Sequence, residues 1–339
     1  VKDAIAVEKK YANEAIKFLL ERNMLDDTRR ISRERNKVEI PVKGNISLPF
    51  PFSLKEQEYV LYRGQRTPFE EIKEKTKETL REDELAVLPE KWEKLGDILV
   101  IKFPEGVKGK REISKIYADV LGCRAVLEDT GGIRGMKREP VVKHVYGDKN
   151  TETVHMENKI KFMLDVSKIM FSSGNVDERI RMAYSGGEGE TVVDMFAGIG
   201  YFSIPMTVYS KVRMYACEIN PVAYRYLTKN IELNNVKNRI TALYGDCREV
   251  APRGVADRVL MGYFQSKKFL PYAIKILKTD GGTIHYHTTC PRDSFPEEPF
   301  NDVKSVAHDF GKKAELTNEK KIKSYAPGII HGVLDVKIH

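Results

Sequence analysis

The sequence predicts an α/β protein built on a doubly wound, mostly parallel sheet, with two small α/β domains ahead of it. Length is the first reason, since 339 residues exceed what one compact domain usually holds. The second is the regular alternation of strand and helix patterns from about residue 190 onward. The third is that shorter α/β patterns occur twice before that point. The division that follows is a small N-terminal α/β domain at 1–52, a charged helical connector at 53–87, a second small α/β domain at 88–155 and a large domain at 156–339.

Taken in order, "DAIAVEKKYANEAIKFLLERNML" (3–25) reads as an amphipathic helix with Ala15, Phe18, Leu19 and Leu20 on its apolar side. "RNKVEIPV" (35–42) alternates as a strand. In the second small domain "GDILVIKF" (96–103) and "RAVLEDTG" (124–131) are strands flanking the helix "GKREISKIYADVLGC" (109–123), and further alternating segments run through 141–166. The strands placed in the large domain are 191–196, 213–219, 240–246, 256–262, 281–289 and 329–339, with helices at 221–235, 267–277 and 302–314. In such a sheet the ligand binds beyond the carboxyl ends of the strands, so functional residues are expected just after each one.

A hydrophobic fraction of 41% with 31% charged residues fits a soluble globular protein. No apolar run approaches the roughly 18 residues of a membrane span, and no signal-peptide core is recognisable, so a cytoplasmic protein is expected. Cys123, Cys217, Cys247 and Cys290 are scattered without a CxxC pair and read as reduced thiols, neither a disulfide frame nor a zinc site. The net charge of +8 suits a polyanionic partner and suits a plain basic surface equally. Basic clusters at 29–37, 108–111 and 134–144 concentrate that charge in the first half.

Strand 191–196 runs into "DMFAGIGYFS" (194–203), where Gly198 and Gly200 permit a tight turn and close backbone approach to a ligand. The third glycine of the dinucleotide fingerprint is missing, which argues against NAD. Glu218 ends the next strand at the roughly 20-residue offset where an acid accepts ribose hydroxyls. Asp246 ends the third, placed to accept from an adenine amine, with the Cys247 N–H beside it. Singly, each acid reads as a solvated or capping residue; together, after successive strands, they read as a nucleoside site. No Lys, Ser or Thr follows the glycine turn in the phosphate-handling position, so a nucleoside without phosphates fits, and S-adenosylmethionine is the candidate. Upstream, Asn175 and Glu178 outline a capping box, and the helix they open carries Arg179 and Arg181. Two readings stand there: a solvated basic face, or Ser172 and Arg179 reaching the carboxylate of the cofactor or the acceptor.

At these residues a resemblance becomes specific. "LDVSKIMFSSGNVDERIRMA" (164–183), "VVDMFAGIGYFSIP" (192–205), "EINPVAYRYLTKNIELN" (218–234), "GDCREV" (245–250), "ADRVLMGY" (256–263), "IHYH" (284–287) and "KKIKSYAPGIIHGVLDVKI" (320–338) resemble the archaeal and eukaryotic wybutosine-synthesis enzymes, the tRNA 4-demethylwyosine aminocarboxypropyltransferases. The resemblance spans roughly residues 90–339 and extends to the tRNA guanine-37 N1-methyltransferases. It implies a class I S-adenosylmethionine-dependent transferase whose Rossmann-like domain is a doubly wound, seven-stranded sheet, preceded by two small α/β domains. The implied reaction moves the 3-amino-3-carboxypropyl group to C7 of 4-demethylwyosine at position 37 of tRNA(Phe), with methylthioadenosine leaving. It places S-adenosylmethionine against Ser172, Arg179, Glu218, Asp246 and Cys247, above the turn Ala197–Gly200. The N-terminal module resembles the first domain of the archaeal N1-methyltransferases, which touches the outer corner of tRNA. Several archaeal wybutosine transferases are shorter, so its presence keeps methyl transfer to guanine-37 or its tricyclic derivative open as an alternative.

After the fourth strand the methyltransferases carry an Asn-Pro-type motif, whereas this chain has Met261-Gly262-Tyr263. Gly262 has no side chain to accept a proton; either it opens space and Tyr263 stacks on the acceptor base, or the pair simply turns the chain. His285 and His287 share one face of the fifth strand; with no third ligand nearby, a base-facing or core-edge role is favoured over metal, and none is expected. Tyr263 and His287 are thus the candidates for positioning the acceptor, and no general base is identified. The partner implied is tRNA, gripped through its anticodon stem-loop by the basic small domains, with the chain acting as a monomer. A tRNA-binding protein with a decayed transferase domain is the remaining alternative, disfavoured by the intact Gly turn, Glu218 and Asp246.

Overall fold

A computed structural model describes residues 3–34, 36–44, 46–57, 66–77, 80, 85, 87–135 and 138–339, in two compact units, Val1–Lys75 and Thr76–His339. Of the connector read at 53–87, residues 58–65, 78–79, 81–84 and 86 lie outside the described set, as do Arg35 and Met136-Lys137 of the basic clusters.

In the first unit β1 (Asp3–Glu8), α1 (Ala12–Glu21), β2 (Ser32–Glu34), β3 (Lys37–Pro41) and β4 (Ser53–Glu56) form an antiparallel sheet in the order β2-β3-β1-β4, followed by α2 (Pro68–Thr76). Ala12, Ala15 and Leu19 of α1 pack on Ile5, Val7, Val38 and Ile40. The helix read from residue 3 is therefore half strand. "DAIAVE" is the inner strand of the sheet, buried from Ala4 to Val7, and a central strand loses the in–out alternation that would distinguish it from a buried helix segment.

The second unit opens with β5 (Trp92–Leu95), β6 (Ile98–Ile101), α3 (Lys110–Leu121), β7 (Ala125–Arg134) and β8 (Glu139–Gly147), a sheet ordered β5-β6-β7-β8. Only β6 and β7 are parallel, joined by the α3 crossover. The hairpin β9 (Glu152–Glu157) and β10 (Ile160–Asp165) follows. Leu95, Ile98 and Leu127 of the small sheet, Phe162 and Leu164 of the hairpin, and Val192, Met214 and Leu260 of the large sheet share one apolar cluster.

Then come α4 (Val176–Ala183), β11 (Thr191–Asp194), α5 (Ser203–Ser210), β12 (Arg213–Glu218), α6 (Pro221–Leu233), β13 (Ile240–Tyr244), α7 (Cys247–Val250), β14 (Arg258–Met261), α8 (Leu270–Ile276), β15 (Gly282–Pro291), α9 (Glu297–Asp309), β16 (Ala314–Ala326) and β17 (Ile329–Ile338). The seven strands order as β13-β12-β11-β14-β15-β17-β16, parallel except for antiparallel β17. Alternate residues of each strand feed opposite faces: Val192 enters the first cluster, Val193 the second, which holds Ile284 and Leu334 against Leu270 and Val303 of the covering helices. The strand the sequence reading did not place is β16, an edge strand of mostly polar residues. The helix read at 302–314 runs from Glu297 to Asp309, and its expected end belongs to the start of β16. All Cys are free, and no described helix is long and apolar enough to cross a membrane.

Candidate functional site

Strands β11, β12, β13 and β14 end at one cavity of about 550 Å³. Its wall contains Ser172, Arg179, Gly198, Glu218, Asp246, Cys247, Gly262, Tyr263 and His287. Ala197 and Gly200 stand behind that wall. Ala197 is buried with its N–H donating to the Cys217 carbonyl, and Gly200, at φ +99°, lies against Ile204, whose Cδ1 a Cβ would meet at 2.5 Å. Their part is to shape the turn, while Gly198, at φ +58°, faces the cavity.

Glu218 stands at the centre of the turn. Its Oε2 accepts from the Gly198 N–H at 2.7 Å and its Oε1 from the Asn220 N–H at 2.7 Å. Burial still pushes its carboxyl above the usual range. Asn220 caps α6, accepting from the Val222 N–H at 2.9 Å, so the acid sits between a strand end and a capped helix. Asp246 caps α7 and is held below its ordinary value chiefly by Arg248, whose Nε and Nη2 donate to both carboxylate oxygens at 2.6–3.1 Å. The Cys247 thiol is pushed up to about 12 by burial, which favours its protonated form. Behind the turn, fully buried Asp194 accepts from the Ser203 hydroxyl at 2.7 Å and from the Phe196 N–H at 3.1 Å, and burial lifts its carboxyl to about 6.

The capping box outlined by Asn175 and Glu178 does not form. Asn175 makes no side-chain cap bond, and its Oδ1, in the cavity wall, is buried without a hydrogen-bond partner. Glu178 is instead buried among cations, 2.6 Å from Arg181 and 3.3 Å from Lys320. The solvated-face reading of Arg179 also fails. The side chain is 4% exposed, bonds both oxygens of Glu157 at 2.6 and 2.5 Å, and donates to the Ser172 carbonyl at 2.9 Å.

Among the cations of the wall that the sequence reading did not single out are Arg138 at the end of the β7–β8 turn and Lys323 on β16. The Lys323 ammonium lies 3.3 Å from the Ser172 hydroxyl and is lowered by burial and by the Arg138 and Arg179 charges. No periodic signal marks either residue. Phe264, also missed, packs between the Arg138 guanidinium (5.1 Å) and the His331 ring (4.4 Å).

Under the end of β14, His287 and His331 share a hydrogen bond of 3.2 Å, and burial pushes both rings down to about 3, keeping them neutral. His285 is engaged elsewhere, 2.6 Å from Asp335. Among the described residues no group of three metal-ligating side chains gathers. Gly262 lines the cavity, but the space its missing side chain leaves is taken by Phe202, whose Cε2 a Cβ would meet at 3.1 Å. The opening expected at Gly262 is thus partly filled by an aromatic ring that also packs on His287 at 5.1 Å. Tyr263 tilts against Phe196 at 5.4 Å and donates its hydroxyl to Gln265 at 3.0 Å.

Comparison with known proteins identifies the family. The TRM5/TYW2 methyltransferase domain matches residues 153–316, the TYW2 N-terminal domain matches 72–151, and the tRNA methyltransferase 5 N-terminal domain matches 4–47. The tRNA(Phe) (4-demethylwyosine(37)-C(7)) aminocarboxypropyltransferase of Pyrococcus horikoshii is 44% identical over 79% of this chain and 96% of its own length. A crystal structure of P. horikoshii TYW2 in complex with MeSAdo superposes with a TM-score of 0.71 at 42% identity, covering 79% of this chain and 97% of that one. The tRNA (guanine(37)-N(1))-methyltransferase Trm5b of Pyrococcus abyssi is 34% identical over 94% of both chains, and its crystal structure superposes with a TM-score of 0.70 over 100% of this chain and 99% of that one. The chain belongs to the TRM5/TYW2 family.

Proposed function

We propose that the chain transfers the 3-amino-3-carboxypropyl group of S-adenosylmethionine to C7 of 4-demethylwyosine at position 37 of tRNA(Phe), releasing methylthioadenosine. The observation that carries this reading is the strand end Met261-Gly262-Tyr263, where Gly262 brings no side chain to accept the proton of an attacking ring nitrogen, beside a wall that holds Gly198, Glu218, Asp246 and Cys247.

The residues fit the co-substrate. The cavity volume lies within the ordinary range for small-molecule sites. Glu218, set between two backbone donors, would accept the ribose hydroxyls, and Asp246 with the Cys247 N–H would face adenine, above the turn Ala197–Gly200. The Lys323 ammonium beside the Ser172 hydroxyl offers a cation and a donor for a carboxylate, with Arg179 holding Ser172 in place through its carbonyl, and the orphan Oδ1 of Asn175 is an acceptor awaiting a donor such as an ammonium. When bound, S-adenosylmethionine supplies a sulfonium that makes its γ-carbon electrophilic. C7 of the acceptor forms the new C–C bond as the S–C bond breaks, its electron pair leaving with methylthioadenosine, and the C7 proton is then lost. The protein's work is alignment, bringing the reacting carbons to about 3–3.5 Å. Tyr263 and the neutral His287, fixed by His331, position the acceptor ring.

Within this reading tRNA is the macromolecular substrate. The +8 charge supports phosphate contact along the anticodon stem-loop, and the match of residues 4–47 supports contact of the first unit with the outer corner of tRNA. The chain acts as a monomer in the cytoplasm. One arm of the test supplies S-adenosylmethionine labelled in the carboxypropyl carbons together with demethylwyosine-containing tRNA. Label in tRNA with release of methylthioadenosine supports the proposal. A second arm supplies methyl-labelled S-adenosylmethionine with tRNA bearing unmodified guanine-37; methyl label in that tRNA with S-adenosylhomocysteine as by-product establishes the second reading, guanine-37 methyl transfer, which the near-full-length likeness to Trm5b favours.

A further inference from the structure

Strand β16 pairs with β17 through three irregularities, between Leu316 and Asn318, Lys321 and Lys323, and Ser324 and Ala326. Each inserts a residue that has no opposite number, and the last of these is Tyr325. A bulge turns the side chain it carries out of the regular alternation, a device concentrated beside active sites. Here the ring is brought edge-on to Phe264, 5.6 Å between centroids at 79°, and Phe264 belongs to the cavity wall. Tyr325 itself is 56% exposed and lies outside that wall.

The setting distinguishes it from the other large exposed aromatics of the described residues. Tyr184 leans on Tyr209, Tyr244 on Tyr224, and Phe310 takes the Lys275 ammonium, none of which packs on a cavity aromatic. Around Tyr325 the charge is positive: Lys323 stands two residues before it and Arg138 covers Phe264. An exposed aromatic face beside cations, at the side of a site whose substrate is an unstacked base, has the composition of a single-strand stacking platform.

We propose that Tyr325 stacks on the nucleobase adjoining the acceptor nucleotide, holding the loop while the acceptor enters the cavity. The acceptor ring itself meets Phe264 and Tyr263 inside, so the ring outside the wall is left for the neighbour that base extrusion exposes. The inference rests on the RNA acceptor of the proposed function.

The test compares Tyr325→Ala and Tyr325→Phe in the full chain, on demethylwyosine-containing tRNA carrying 2-aminopurine on one side or the other of the acceptor. Tyr325→Ala is expected to raise the KM for tRNA about 5- to 100-fold with kcat nearly unchanged, and to abolish the change in 2-aminopurine fluorescence on binding at one of the two positions. Tyr325→Phe, which keeps the ring, should restore both. An unchanged KM in the alanine variant, a phenylalanine variant as poor as alanine, or a fall in kcat alone overturns the proposal. Affinity for S-adenosylmethionine is measured alongside, and a parallel loss there assigns Tyr325 a structural part and also overturns it. Wild-type release of methylthioadenosine reports separately on the reaction itself, so failure of that reading is distinguishable.

Discussion

Arg179 and Glu157 meet through two hydrogen bonds, Nε to Oε1 at 2.6 Å and Nη2 to Oε2 at 2.5 Å, and so tie α4 to the hairpin strand β9 at the wall of the cavity. Both side chains are largely buried, so removing one partner strands the other's charge. Glu157→Gln should cost about 3–5 kcal/mol in urea unfolding, and pairing it with Arg179→Met should recover most of that loss. A single substitution with no measurable cost would contradict the arrangement.

Asp194 makes a pH-dependent contribution of unusual sign. Its carboxyl, lifted to about 6 from an ordinary 3.8, is ionised at neutral pH in both states, and only the folded state carries the desolvation cost. That cost, on the order of 3 kcal/mol, is relieved as pH falls from 6 towards 4. Asp194→Asn should therefore be more stable than the wild type at pH 7.5, with the difference vanishing near pH 4. Chemical denaturation at the two pH values reads this directly.

The His287–His331 pair acts oppositely. Both rings titrate near 3 in the folded chain and near 6.5 when unfolded, so below pH 6.5 the unfolded chain takes up protons that the folded one refuses. Stability should fall by about 1.4 kcal/mol per pH unit for each ring over that window. His331→Gln should reduce the slope of unfolding free energy between pH 6 and 4.5 by up to that amount.

On the proposed reading Lys323 would hold the amino-acid tail of the co-substrate and Glu218 its ribose. Methylthioadenosine lacks the amino-acid group, so Lys323→Met should weaken S-adenosylmethionine binding about 10- to 100-fold and leave methylthioadenosine binding unchanged. Glu218→Ala should weaken both. Calorimetry with the two ligands separates these outcomes, and equal losses in the lysine variant would move Lys323 away from the tail.

Gly262 is constrained by Phe202. A Cβ at 3.1 Å from that ring must push it, and the ring packs on His287. Gly262→Ala should lower kcat/KM for methylthioadenosine release at least about tenfold while costing about 1–3 kcal/mol of stability. Phe202→Leu introduced beside it should return part of the activity.

The cofactor half of the site was legible because a parallel sheet presents its strand ends on one edge. Gly198, Glu218 and Asp246 lie at or just beyond the ends of strands recognisable in the sequence, and locating the strands locates them. Lys323 was illegible for the converse reason. It lies on an edge strand whose sequence "AELTNEKKIKSYA" is mostly polar, so neither period 2 nor period 3.6 stands out. Arg138 comes from a turn of the preceding small sheet, and only the shared core of the second unit brings it to the wall. Asn175 carried a helix-cap signature, yet its oxygen is buried without a partner in the wall, a distinction that spacing along the chain does not encode.

The slipped register of β16 has a bearing on how this family could change its substrates. A regular strand can vary what it presents only by exchanging side chains, since its alternation fixes which residues point where. A strand that already tolerates unpaired residues at three places can gain or lose one more and rotate its tip, swapping which residue leans over the mouth while the sheet beneath keeps its pairing. A change of chain length between Lys323 and Ile329 would then alter what this strand end presents beside Phe264 while the cavity wall beneath it stays as it is.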